Sequence, residues 1–329
     1  MKTGKIKGNA FERVIKKEFH NRRDDVGFMP GDDAALFDAA DESKTLMATE
    51  TVTHAYTQVE QIALTRAINN LYASGGMPRA VQLAITVPTS YEEAELRKMM
   101  RRVDAFCERH HVQLAGGHTE AADAVNAPVV TAVAVGAVKK EEYLSAHKLQ
   151  GGLELVLAGE IAKEGTLVLL ERMEDALREH FTGTFLKRAR ERMLELSIEK
   201  AASLAKKHGA VAMHDLAGGG VFGALWEMAD AAGVGLEVDL KAILIAQHSV
   251  EICEYAGMNP YEMASSGSVL IAVKDGFDLV EELTQQGIAA AIIGKTTDGN
   301  DRILRNGEEI RYLDLPKVDE LYKLDTYEK

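Results

Sequence analysis

The sequence predicts an α/β protein made of two domains, each mixing helices and strands. Three observations carry this. The chain has 329 residues, enough for two ordinary hydrophobic cores. Segments with the period of a strand alternate with segments with the period of a helix. The pattern breaks at Ser145–Gly152, SAHKLQGG, whose paired glycines precede a new apolar strand. That break divides the chain into residues 1–148 and 149–329.

In the first domain, Thr45–Thr53, Ala80–Val87 and Pro128–Val138 are rich in Val, Thr and Ile and bounded by turn residues, so each is expected to be a strand. A helix from about Glu60 to Ser74 connects the first two. Tyr91–His110 spaces Leu96, Met99, Met100, Val103, Phe106 and Cys107 three or four apart, which is the stripe of an amphipathic helix, and Ser90 with Glu93 fits a capping box. In the second domain a buried-type strand, Leu153–Ala158, leads into a charged helical region reaching about Lys207. A short strand at Val211, a glycine turn, a helix from Val221, a strand at Val234–Val238 and a helix at His248–Ala256 follow. Strands at Ser268–Val273 and Ala289–Gly294 flank a helix at Phe277–Gln286. The last residues, Leu321–Lys329, read as polar and frayed.

Hydrophobic residues at 46% and charged residues at 27% suit a soluble globular chain, and no apolar run reaches the roughly 18–20 residues of a membrane span. The basic N-terminus, MKTGKIKGNAFERVIKKEFH, leads into a charged amphipathic helix and lacks the apolar core and cleavage site of a signal peptide. Cys107 and Cys253 stand far apart with no Cys/His cluster, which argues against a zinc site or a disulfide framework. A reducing cytoplasm is therefore expected. With 51 acidic against 38 basic side chains, the net charge of −13 discourages nucleic-acid binding. Any polyanionic ligand must be held by local glycines, cations or metal.

Two stretches offer such groups. Met213–Val238, MHDLAGGGVFGALWEMADAAGVGLEV, sets Asp215 and the glycines Gly218, Gly219 and Gly220 before a helix, so free backbone N–H groups lie beside a carboxylate at a helix N-terminus. Such a place suits a phosphate with its metal; Asp215 is equally suited to cap the helix. Asp32 and Asp33 follow Gly31 at a tight turn before a short apolar strand, where adjacent carboxylates either share a hard cation such as Mg²⁺ or form a solvated Asx turn.

Together with GDDAALF at 31–37, NNLYASGGMPRAV at 69–81 and AGGHTEA at 115–121, the glycine stretch resembles the superfamily of aminoimidazole ribonucleotide (AIR) synthase, the PurM-like proteins. The group includes the hydrogenase maturation factor HypE, thiamine-monophosphate kinase and selenophosphate synthetase. HypE and AIR-synthase-related paralogues look most similar. The four motifs keep the family order, and the likeness extends over nearly the whole chain.

The resemblance implies a two-domain PurM-like fold, with an N-terminal sheet domain that pairs in a homodimer and nucleotide held near that interface. It implies an ATP-dependent enzyme that phosphorylates or dehydrates an amide- or acid-type group, on a small molecule or a protein-borne group. Metal ligands would be Asp32, Asp33, Glu50 and Asp215, with Mg²⁺ as the ion. Nucleotide would be held by Asn70, Gly117, His118, Thr119, Gly218, Gly219 and Gly220. The alternative is a nucleotide-binding regulator, or a hydrogenase-maturation-type partner, with reduced turnover.

Departures from the family pattern motivate that alternative. Its three further aspartates fall here at Glu50, Asn70 and His118, so one carboxylate is lengthened and two are replaced by neutral groups. Each lost charge weakens attraction for Mg²⁺. His118 is then a turn residue, a phosphate donor or a transition-metal ligand, and Glu120 is available to restore an acid. HypE carries its carbamoyl group on a C-terminal cysteine, whereas this chain ends in LDTYEK. Selenophosphate synthetase uses an N-terminal Cys or selenocysteine, and residues 1–30 hold neither. Cys107, on the apolar stripe of its helix, is expected to be structural.

Overall fold

The computed structural model describes residues 43–53, 56–314 and 318–324, with short pieces at 4–5, 13–14, 16–18, 20, 23, 26–27 and 36–37. Asp32 and Asp33 lie outside the described residues. The chain forms two compact units, one of residues 1–71 with 76–141 and one of 72–75 with 142–329.

The first unit holds β1 (Gly4–Lys5), β2 (Val26–Gly27), β3 (Leu36–Phe37), β4 (Ser43–Val52), α1 (Val59–Ala73), β5 (Met77–Val87), α2 (Glu93–Arg109), β6 (Gln113–Ala121) and β7 (Val129–Lys139). Its main sheet runs in the order β1-β6-β5-β7-β4, with β5 and β6 parallel and β5/β7 and β4/β7 antiparallel. Alternation along β7 buries Val130, Ala132, Ala134 and Val138 on one face. Helices cover that face: Leu71 of α1 packs against the backbone at Gly136, and α2 buries the stripe from Leu96 to Cys107. The other face stays open, with Thr45, Met47, Thr49 and Thr51 of β4 exposed.

The amphipathic stripe thus folds as expected, but its start does not. Glu92 is the N-cap of α2 and no side chain caps the helix, so Ser90 and Glu93 form no capping box. Two acids in the first turn, Glu93 and Glu95, favour the helix N-terminus electrostatically instead.

The second unit contains β8 (Glu154–Ala158), α3 (Lys163–Arg172), α4 (Glu174–His180), α5 (Gly183–Met193), α6 (Glu199–Lys207), β9 (Ala212–Asp215), α7 (Gly220–Ala232), β10 (Gly235–Asp239), α8 (Gln247–Ala256), β11 (Val269–Val273), α9 (Phe277–Gln285), β12 (Ala290–Thr297), β13 (Arg302–Asn306) and β14 (Glu309–Tyr312). Its sheet runs β14-β13-β10-β12-β8-β11-β9. β11 is VLIAV with every residue buried, because helices lie on both faces of the sheet: α7 on one side, α6 and α9 on the other. The core on the α7 side joins Leu155, Leu157 and Leu270 of the sheet to Val221, Leu225 and Met228.

The frayed end expected at Leu321–Lys329 is corrected over its first part. Glu320–Lys323 form a 3₁₀ turn, and Leu321 and Leu324 are buried; residues 325–329 lie outside the described residues. Those two leucines find apolar cover that no local pattern announces. Among the described residues, no helix is long and apolar enough to cross a membrane.

Candidate functional site

Glu50 sits near the end of β4, where the strand runs beside α1. Asn70 Nδ2 donates to Glu50 Oε1 at 2.8 Å, so the helix fixes the carboxylate while leaving it lone pairs for a cation. The ladder places Glu50, Ala132, Leu83 and Gly117 in one row across four strands, on the helix-covered face. Thr119 follows two residues beyond Gly117 and shares that face.

Gly117 is demanded by this packing. A Cβ built there would stand 2.1 Å from Leu83 O, and its φ of +151° lies where side chains are rarely tolerated. The register advances two residues on β5 but three on β6 between Val81/Leu114 and Leu83/Gly117, which marks a β-bulge. The glycine pair in AGGHTEA is therefore part of a strand. The turn expected there does not form.

His118 lies one row further, beside Ala84 and in line with Thr131 and Thr51, so it faces the open side of the sheet. Its Nε2 is 3.5 Å from Glu120 Oε2, and both side chains are well exposed. Within one sheet, Glu50 and His118 are separated by three strand spacings, about 14 Å, and face opposite ways. The fold thus joins Glu50 with Asn70 and His118 with Glu120, as two separate pairs.

The glycine turn is built from the other sheet. β9 ends at Asp215, which is 5% exposed, and the chain then passes through Gly218 and Gly219 into α7. Gly219 (φ +79°) and Gly220 (φ +63°) both take the left-handed conformation, and a Cβ at Gly220 would meet the carbonyls of Tyr261 and Met263 at 2.7 Å. Asp215 does not provide the cap of α7. The Gly219 N–H donates instead to Asp319 Oδ2 at 2.7 Å, across 100 residues of sequence.

His214, the neighbour of Asp215, joins β9 to α7. Its Nδ1 donates to Asp215 O at 2.6 Å and its Nε2 lies 3.0 Å from Glu227 Oε2. Burial alone would lower its pKa; the Glu227 hydrogen bond and the Asp215 charge outweigh that and hold the imidazole above its usual value. The same hydrogen bond holds the Glu227 carboxyl below its ordinary range. A cavity of about 570 Å³ opens beside the turn, with Gly218, Trp226, Glu227, Asp230, Asp319 and Tyr322 in its wall. The Arg302 guanidinium stacks on Trp226 at 3.8 Å and pairs with Asp230 at 2.9 Å. Trp226, Glu227 and Asp319 escaped the sequence reading. Trp226 and Glu227 look like ordinary positions on a helix, and Asp319 lies 100 residues from the Gly219 N–H that it meets.

Hard oxygen donors suit Mg²⁺, which commonly takes one or two protein carboxylates, with phosphate oxygens and water completing its shell. Glu50, held but not consumed by Asn70, fits that demand. Among the described residues no three His, Cys, Asp or Glu side chains gather into a metal cage.

Residues 31–138 match the N-terminal domain of AIR synthase related protein, and residues 150–305 match its C-terminal domain. The chain belongs to the AIR synthase-related family. Carbamoyl dehydratase HypE of Rhodobacter capsulatus is 26% identical over 280 residues, covering 82% of this chain and 79% of that protein. The crystal structure of E. coli HypE superposes with a TM-score of 0.82 at 18% identity, over 95% of this chain and 98% of that one. A HypE solved in complex with ATP gives a TM-score of 0.75 at 14% identity, over 94% and 95% of the two chains. These likenesses establish the PurM-like fold of two sheet-containing domains.

Proposed function

We propose that this protein is an ATP-dependent enzyme that phosphorylates, or dehydrates by way of phosphorylation, an amide- or acid-type oxygen on a small molecule or a protein-borne group. The observation that carries the reading is the Glu50–Asn70 pair: a carboxylate held at 2.8 Å by an amide, at two positions where the family resemblance implies aspartates. The ATP seen with a HypE of the same fold supports the nucleotide. Asp32, Asp33, Glu50 and Asp215 would hold Mg²⁺, which neutralises phosphate charge when bound; Asn70, Gly117, His118, Thr119 and Gly218–Gly220 would position the nucleotide. Catalysis then consists mainly of placing the acceptor oxygen in line and shielding it from water. Residues 1–148 would form the ATP-binding and dimerisation domain, and residues 149–329 the second domain.

Calorimetric titration should find Mg²⁺-dependent ATP binding weaker than nanomolar, because two acidic positions are neutral. Glu50→Gln and Asp32→Asn should each weaken it roughly 10- to 100-fold, as expected when a charged ligand contact worth about 1.5–3 kcal/mol is lost. No binding at millimolar ATP, or unchanged binding in both variants, would count against the site. The second reading, a nucleotide-binding regulator with reduced turnover, is favoured by the neutral Asn70 and by the separation of His118 from Glu50. Phosphate release measured with candidate amides and carboxylic acids separates the two, since only the enzyme turns ATP over faster when its acceptor is present.

The open face of the N-terminal sheet supports a homodimer. Met47 is 70% exposed there, in a strip with the partly buried Val133 and Val135. Light scattering should give about twice 35.8 kDa. Met47→Lys should shift the mass toward the monomer, and a parent that is already monomeric at micromolar concentration would remove the interface.

A further inference from the structure

Residues 318–324 fold back onto the glycine turn and are held there by two kinds of contact. Leu321 and Leu324 are buried at 1% and 6% exposure, while Glu320 Oε2 accepts from the Asn259 N–H at 2.9 Å and from Lys323 Nζ at 2.6 Å. Asp319 divides its carboxylate: Oδ1 accepts from the Leu321 N–H at 2.9 Å, and Oδ2 accepts from the Gly219 N–H at 2.7 Å. The opposite side of the segment is exposed, Val318 at 68% and Tyr322 at 44%, and both residues border the cavity beside the turn.

A carboxylate on a backbone N–H at a helix N-terminus satisfies the same donor, by the same charge-assisted bond, as a phosphate oxygen does. We propose that residues 318–324 are an autoinhibitory strap whose Asp319 carboxylate occupies the anion position of the glycine turn, so that a nucleotide phosphate binds there only as the strap leaves. This rests on the nucleotide reading above and adds a regulatory element to it. Two features favour competition over a fixed structural cap. Asp319 enters the turn from a short 3₁₀ segment that belongs to neither the sheet nor α7, so its release does not require either to unfold. Closed, it also adds the Asp319 carboxylate to a cavity whose other two, Glu227 and Asp230, are already matched by His214 and Arg302, and that added charge opposes a polyanion. The apparent affinity for phosphate is then the intrinsic affinity multiplied by the fraction of molecules with the strap open.

Trp226, the sole tryptophan of the chain, borders the same cavity as Val318 and Tyr322 and so reports the strap without a label. Titrating the full-length protein with Mg²⁺ and ATP should change Trp226 emission in step with calorimetric binding. Asp319→Ala should bind ATP roughly tenfold more tightly, the equivalent of one charge-assisted hydrogen bond at the low end of its range. Leu321→Ala, which loosens the anchor and leaves the carboxylate in place, should tighten binding as well.

Tightening by Asp319→Ala alone would mean simple charge relief and would overturn the strap. Binding of ATP with unchanged Trp226 emission, or equal affinity in all three proteins, would overturn it too, with the nucleotide reading intact. If neither the parent nor Leu321→Ala binds ATP while circular dichroism shows both folded, the nucleotide reading fails and the strap fails with it. Should Asp319→Ala not fold, Asp319→Asn supplies the same comparison, since it keeps the shape and removes the charge.

Discussion

Gly117→Ala is expected to cost the first unit roughly 3 kcal/mol or more, the sum of a strained backbone conformation and a forced overlap in a packed strand pair. The added Cβ would stand 2.1 Å from Leu83 O and 3.0 Å from its carbonyl carbon, and both are backbone atoms in the neighbouring strand. No rotamer change relieves that contact, so β5 and β6 must separate where the parallel pairing restarts after the bulge. Urea denaturation should show a lower midpoint. Because Gly117 shares its row with Glu50, nucleotide binding should weaken along with stability. A variant within 0.5 kcal/mol of the parent, the scale of an ordinary surface substitution, would mean that the bulge is placed wrongly.

Arg102→Met should destabilise the same unit by about 3–5 kcal/mol, the usual penalty for leaving one charge of a buried pair without its partner. Glu60 on α1 is fully buried, and Arg102 on α2 supplies Nε at 2.5 Å from its Oε1. The other oxygen, Oε2, is buried with no hydrogen-bond partner. Burial pushes the Glu60 carboxyl above its ordinary pKa, and the guanidinium draws it only part of the way back.

The sign of the pH dependence follows. A carboxyl whose folded pKa is raised favours the folded state most below its unfolded value, near 4.5, and that contribution is lost as pH rises through the folded pKa. Removing Arg102 raises the folded pKa further, so the penalty in Arg102→Met should shrink toward pH 4.5 and grow toward neutrality. Glu60→Gln combined with Arg102→Met should recover much of the loss. A penalty that is the same at pH 4.5 and pH 7.5 would rule out the buried charge as its cause.

Elsewhere in the chain the local sequence pattern suffices. The stripe of α2 and the apolar, β-branched runs of β4, β5, β7, β8 and β11 follow from side-chain periodicity. Each residue's face is set by the 3.6- or 2-residue repeat of its own element. The glycine turn before α7 was legible for a related reason: three consecutive glycines cannot continue a strand, and the apolar spacing that follows demands a helix. β6 escaped because Gly116 and Gly117 look like a turn when read locally. Only the approach of Leu83 O from the next strand makes glycine necessary there. The β13–β14 hairpin escaped as well, since the exposed residues of β14 show no alternation of burial to read.

The sequence by itself determined the periodic helices and strands, the two-domain α/β architecture and, through its four motifs, the AIR synthase-related family, because those depend on neighbours within a few residues or on motifs kept in order. Tertiary structure alone decided which candidate groups meet. It joined Asn70 to Glu50 through α1 and β4, turned His118 to the opposite face through a one-residue bulge, and brought Asp319 to the Gly219 N–H. Each of those outcomes depends on strand register or on chain return over tens of residues, and a shift of one residue in a strand reverses the face on which a side chain lies.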